Sequence, residues 1–188
     1  QSGTVLAVTG DEAEAKRLCD DINAMEQAQT AVLFPSKELL VTAVEGVSAE
    51  YEHARLAAVT ALQQGISRVV IASMEALMQP TIPPEQLQKE TIRLRQGGAV
   101  NQTELIQHLT AMGYVRGESV EGAGQFAVRG DIIDLFPVQL SAPVRMELWG
   151  DEIDTMGSFD PETQRRTEAL EAVLIPPAKE TLFDPEQL

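Results

Sequence analysis

Three prolines within five residues, Pro80, Pro83 and Pro84, divide this sequence into two stretches with different hydrophobic rhythms. Proline removes a backbone donor and fixes φ, so such a cluster interrupts both helices and sheet ladders. Before it lie short apolar runs, TVLAVTG, TAVLFPS and RVVIAS, which read as buried strands. Between them the apolar residues fall at helical spacing. Ala15, Leu18, Ile22 and Met25 do so in DEAEAKRLCDDINAM, with acids in the first turn. Ala54, Ala57, Ala58, Ala61 and Leu62 do so in a helix expected from Tyr51 to Leu62 with Ser48 as its N-cap. Alternating strands and helices predict a parallel α/β layer, followed by a short helix in MEALMQP.

After the prolines the period changes. KETIRLRQGG alternates like an exposed strand, and NQTELIQHLTAMGY is an amphipathic helix with Leu105, Leu109 and Met112 on one side. GQFAVRG, DIIDLFP and PVRMELWGDEID then follow at period two with no helix between them. That pattern predicts an antiparallel meander packed on one helix. The expected fold class is therefore α/β: a parallel lobe at residues 1–84, a small α+β antiparallel-sheet domain at 85–171, and a last strand and tail at 172–188. That last strand, in ALEAVLIPPAKE, is closed by prolines.

Charge narrows the function classes. The chain carries a net charge of −15, spread as −7 over residues 1–87, +1 over 88–130 and −9 over 131–188. So acidic a chain repels phosphate backbones, so no direct nucleic-acid binding is expected. The near-neutral middle is where an acidic partner could dock. No apolar run reaches the roughly 18–20 residues of a membrane helix. The single cysteine, Cys19, reads as a small core residue, and a soluble, cytoplasmic protein is expected.

No cofactor is expected, because G-x-x-x-x-G-K-[ST] is missing and TGDEAEAK lacks the second glycine. His53 and His108 each stand alone on a helix. Asp131, Asp134, Glu147, Asp151, Glu152 and Asp154 form a carboxylate-rich zone, but alternation puts several on the wet face and no glycine-centred calcium loop is present, so no metal is expected. The tripeptide Arg129-Gly130-Asp131 in a chain without secretion features is not read as an adhesion motif. The arginines say more. Arg129 should lie opposite Phe126 and Val128, with Ala127, while Arg145 and Glu147 share one face of VRMELW. Together with Arg116 they make either a polar docking surface or a set of arginines in local pairs.

The segments GQFAVRGDIIDLFP, PVRMELWGDEIDTM and FDPETQRR closely resemble the module shared by the repair protein UvrB and the bacterial transcription-repair coupling factors (Mfd). The likeness covers about Arg116 to Glu180 as one long, ordered match, and VEGVSAEYEHARLAAVTAL and RVVIASMEALMQ extend it upstream. Ala127 stands where UvrB has arginine, and aromatic residues are only 4%, which favours the coupling factors over UvrB. The resemblance implies a degenerate helicase-like lobe, a UvrA-binding domain, and a last strand that returns to the first lobe. It implies a non-catalytic fragment, with Gln1 at an internal boundary, of an ATP-dependent DNA translocase. The module would recruit UvrA and contact the rest of the full-length chain, which masks it. Arg116, Arg129, Arg145 and Glu147 would meet UvrA. Gly130 would let the backbone bend or the partner approach, and Phe136 would be either anchor or core. The rival reading is a fragment of a UvrB-like ATP-dependent DNA-damage-recognition helicase.

Overall fold

In the computed structural model, residues 3–26, 30–37 and 45–181 are described, and the tail at 182–188 lies outside them. The chain divides into two compact units, Gln1–Pro84 and Glu85–Leu188. The first unit holds β1 (Val5–Thr9), α1 (Glu12–Glu26), β2 (Ala31–Phe34), α2 (Glu45–Gln63), β3 (Val69–Ser73) and α3 (Met74–Leu77). Its strands run parallel in the order β1-β3-β2. One sheet face gathers Ala31 and Ile71 with Ala15 and Cys19 of α1. The other gathers Phe34, Val70 and Ala72 with Ala58 and Ala76. Cys19 is thus buried in the core, as expected for a small apolar residue.

The first unit departs from its sequence pattern in three places. TVLAVTG forms a strand, but β3 takes the central position and leaves β1 at the edge, so Val5, Leu6 and Val8 stay exposed. Helix α2 begins at Glu45, which places Ser48 inside it rather than at its cap. Its inward side carries Arg55, Leu56, Ala58 and Thr60, while Ala54 is exposed. Arg55 is the largest fully buried side chain of the described residues. Its guanidinium stands 4.0 Å over the Phe34 ring. Nη1 donates to the Pro35 carbonyl at 2.8 Å and the Ala76 carbonyl at 3.3 Å. Nη2 donates to Pro80 at 3.2 Å and Gln79 at 3.5 Å. A buried cation is tolerable only with its donors filled, and here it ties the chain leaving β2 to the chain leaving α3.

The second unit opens with α4 (Pro84–Glu90), whose proline sits at the first helical position, where no amide donor is needed. β4 (Ile92–Arg95) and α5 (Gln102–Ala111) follow, the latter capped by the Asn101 side chain on the Glu104 amide. Gly113, at φ 91°, ends that helix in the left-handed region. Six strands then make one sheet, in the order β10-β9-β8-β7-β6-β5. They are β5 (Val115–Arg116), β6 (Gln125–Arg129), β7 (Ile132–Leu135), β8 (Val144–Trp149), β9 (Glu152–Phe159) and β10 (Arg166–Ala169). All pairs are antiparallel except the two-residue β5 against β6. Phe126, Ile133, Leu135, Val144, Met146 and Met156 are buried on one side of the sheet, and Leu105, Leu109 and Met112 on the helix; together they make the second unit's core.

The sequence expectation that the last strand returns to the first lobe is corrected here. Of ALEAVLIPP only Ala169 belongs to β10, which pairs with β9; the rest supplies β11 (Ala172–Ile175), which pairs antiparallel with β4, inside the second unit. Tyr114 Oη donates to the Pro176 carbonyl and the Ala178 amide to Met112, which fastens the following prolines to the end of α5.

Replacing Arg55 with methionine keeps much of the buried volume but leaves its carbonyl partners without a donor. Arg55→Met should lower the unfolding free energy of the first unit by about 2–4 kcal/mol. Native-state amide exchange at Val70, Ile71 and Ala72 reads this directly, and unchanged protection there would contradict it.

Candidate functional site

The side of the six-stranded sheet away from Phe126 and Met146 is set by register. Ala127 faces Asp134, Asp134 faces Arg145, and Arg145 faces Gly157. One step along, Arg129 faces Ile132, Ile132 faces Glu147, and Glu147 faces Thr155. Directly opposed residues point to the same side of a sheet, so this one side holds two arginines, two carboxylates and small residues.

Asp134 organises it. Its residue is 2% exposed although it lies on the outward side. Arg129 Nη2 donates to Oδ2 at 2.6 Å. Arg145 grips the same carboxylate with Nε on Oδ1 at 2.6 Å and Nη2 on Oδ2 at 2.8 Å. A planar guanidinium fork suits such two-point pairing. Hydrogen bonding to Asp134 raises the Arg145 pKa above its ordinary value, so this cation stays charged. Arg145 Nη2 also donates to Gln164 Oε1 at 2.7 Å, and its guanidinium lies 4.3 Å over the Phe159 ring. Gln164 holds φ at 61°, the single positive value among the described non-glycine residues, in a turn where Asp160 Oδ1 accepts from the Glu162 and Thr163 amides.

Glycines shape the rest. Gly157 lets β10 approach: a Cβ there would lie 2.6 Å from the Glu168 carbonyl oxygen. β10 in turn brings Arg166, whose Nη2 donates to Thr155 Oγ1 at 2.9 Å and Glu147 Oε1 at 3.3 Å. Gly130-Asp131 is the two-residue turn between β6 and β7, and Gly150-Asp151 the turn between β8 and β9. Both glycines have φ near 60° (60° and 61°), the conformation that a two-residue hairpin requires at its first central position. So Arg129-Gly130-Asp131 is a hairpin end, and Gly130 is there to bend the backbone.

The expected residues are not all brought together. Arg129, Arg145 and Glu147 share this side, and Phe136, half-buried just past β7, continues the alternation of Ile132 and Asp134. Arg116 does not join them: it pairs with Phe126 on the two-residue edge strand, and the register puts it on the opposite side. Arg129 and Arg145 are also not on adjacent strands, since β7 lies between them. Of the carboxylate zone, Asp131, Glu147, Asp151, Glu152 and Asp154 are exposed, in line with the alternation that put several on the wet face, while Asp134 is buried under two arginines. Sequence reading placed Asp134 only in the carboxylate-rich zone, without its arginine partners, and passed over Gln164 and Arg166. The first carried a signal, an acid at an alternation position between two arginines; the others depend on how β10 returns. Exposure separates the roles. The Arg145 side chain is 18% exposed and makes three hydrogen bonds, whereas Arg129 is 49% exposed with one bond to Asp134. Among the described residues there is no group of histidine, cysteine and acidic side chains arranged to hold a metal.

Residues 92–181 match the family model described as the UvrB interaction domain, from the first residue of β4 to six residues past β11. The chain is 30% identical over 183 residues to the transcription-repair-coupling factor of Bacillus subtilis (strain 168), covering 97% of this chain and 16% of that protein. It is 30% identical over 182 residues to that of Staphylococcus aureus (strain Mu50), with the same coverage. Against that of Haemophilus influenzae it is 31% identical over 175 residues, covering 93% of this chain and 15% of that protein. The chain thus spans about a sixth of the length of these relatives.

Asp134→Ala should cost about 2 kcal/mol or more, because it leaves the largely buried Arg145 without its counter-charge. Arg129→Ala should cost less than about 1 kcal/mol, since that pair is half exposed. Urea unfolding of both variants checks the ranking, and equal losses would show that Asp134 is not the organising group.

Proposed function

We propose, from the premise that residues 92–181 belong to the UvrB interaction domain family and that the chain is homologous along nearly all its length to part of the transcription-repair-coupling factors, that it is a non-catalytic docking module that recruits UvrA in transcription-coupled nucleotide excision repair. The observation that carries this reading is the placement of Arg129 and Glu147. Both belong to the family-like segments, both lie on the outward side of the sheet, and both keep about half their side chains in solvent. They can be offered to a partner without dismantling the fold.

The physical roles divide accordingly. Arg129 supplies a half-free guanidinium whose remaining donors can take a carboxylate of UvrA. Asp134 and Arg145 set the direction from which Arg129 projects. Glu147, with Arg166 beside it, offers an acceptor and a donor for partner groups. Charges arranged this way govern encounter rate and specificity more than raw affinity. The longer protein containing this module is an ATP-dependent DNA translocase acting in the cytoplasm, and its remaining parts cover this side of the sheet until the motor engages. The rival reading, a UvrB-like helicase fragment, would require nucleotide binding, and the sequence offers no phosphate cradle.

Arg129→Ala should weaken binding to UvrA by at least about tenfold, or about 1.4 kcal/mol, while the melting temperature changes little. A titration and a melting curve on the same variant decide it: unchanged affinity removes Arg129 from the interface. Calorimetry with ATP and magnesium on the 188-residue chain should give no saturable heat, and micromolar binding would favour the helicase reading.

A further inference from the structure

Trp149 is the chain's single tryptophan and is 83% exposed. Strand alternation along β8 puts it on the same side as Arg145 and Glu147. It is the last residue of that strand, facing Glu152 across the Gly150-Asp151 turn. The neighbouring hairpin end lies alongside: the Leu148 amide donates to the Asp131 carbonyl at 2.8 Å. Ile132, half-buried on the same side, opposes Glu147 and so sits diagonally from Trp149. Ile132 and Trp149 are thus diagonal apolar neighbours on a side that also carries Arg129, opposite Ile132, and the Glu147–Arg166 pair.

We infer that Trp149 is the apolar anchor of the UvrA-docking side, inserting its indole into an apolar pocket of UvrA whose rim carries an acidic group for Arg129. The inference rests on the function proposed above. Three observations carry it. Nothing in the fold needs this ring, since it is almost wholly in solvent at a hairpin end whose turn is specified by Gly150. Its diagonal neighbour Ile132 opposes the half-free Arg129. And a large aromatic that enters a partner's pocket, where the surrounding contacts exclude water once the complex forms, is the arrangement in which single residues carry most of an interface's energy. Other exposed apolar residues lack that setting: Met25 is equally exposed, at 83%, but belongs to the first unit.

Trp149→Ala in the 188-residue chain should weaken UvrA binding by at least about tenfold, with an unchanged melting curve. Trp149→Phe should retain part of the affinity, and Met25→Ala all of it. A second readout follows the ring itself. Replacing the tryptophan by 5-hydroxytryptophan permits excitation to the red of the tryptophans of UvrA, and acrylamide quenching should fall when unlabelled UvrA is added. If the complex forms but quenching is unchanged and Trp149→Ala binds like the parent chain, the anchor is overturned while UvrA docking stands. If the parent chain itself forms no complex with UvrA, the function proposed above fails and the anchor fails with it. A lost affinity accompanied by a lowered melting temperature, not recovered by Trp149→Phe, would make Trp149 a structural residue and overturn the anchor as well.

Discussion

The Asp134 carboxylate joins three strands that the chain visits at different times. It sits on β7, takes Arg129 from β6 and Arg145 from β8, and through Arg145 reaches Gln164 in the turn before β10. Such a network is stable only because almost every charge in it is partnered: a carboxylate 2% exposed and unpaired would be costly to bury. The outward side of the sheet therefore has a rigid, charged floor instead of a mobile fringe of side chains. Arg145 closes that floor over Phe159, so an aromatic ring on the polar side is buried by a cation.

This floor decides which residues remain free to act. A residue can serve recognition without loss of stability only if its fold contacts are few. Arg129, Glu147 and Trp149 satisfy that; Asp134 and Arg145 do not. The proposed docking side thus separates into groups held by the fold and groups left projecting from it. Preorganisation of this kind lowers the entropy lost on association, because the projecting groups are already held in direction by the groups beneath them.

The first unit solves a similar problem with different means. Arg55 is buried, with backbone carbonyls and the Phe34 face among the groups that take its charge. It fixes connections between elements where hydrophobic packing alone would leave the loops undirected. The edge position of β1, with Val5, Leu6 and Val8 in solvent, is the price of placing β3 in the centre of a three-stranded parallel layer.

The sequence by itself determined the two rhythms, the proline boundary, the helix at Gln102–Ala111, and the alternation that assigns Arg145 and Glu147 to one side and Met146 and Leu148 to the other. These are local properties, fixed by periods of 3.6 and 2 and by the conformational limits of proline and glycine. The family-like segments were equally legible, because an ordered run of residue types survives in one dimension. Strand order was not. That β7 lies between the two arginines, that Arg116 pairs beside Phe126, that α2 turns Arg55 inward, and that β11 returns to β4 are all long-range pairings. Period two says that a residue faces one side, but not which strand becomes its neighbour. Only the tertiary structure decided that an acid between two arginines is a buried clamp, because burial depends on what the neighbouring strands and the β10 return place over it.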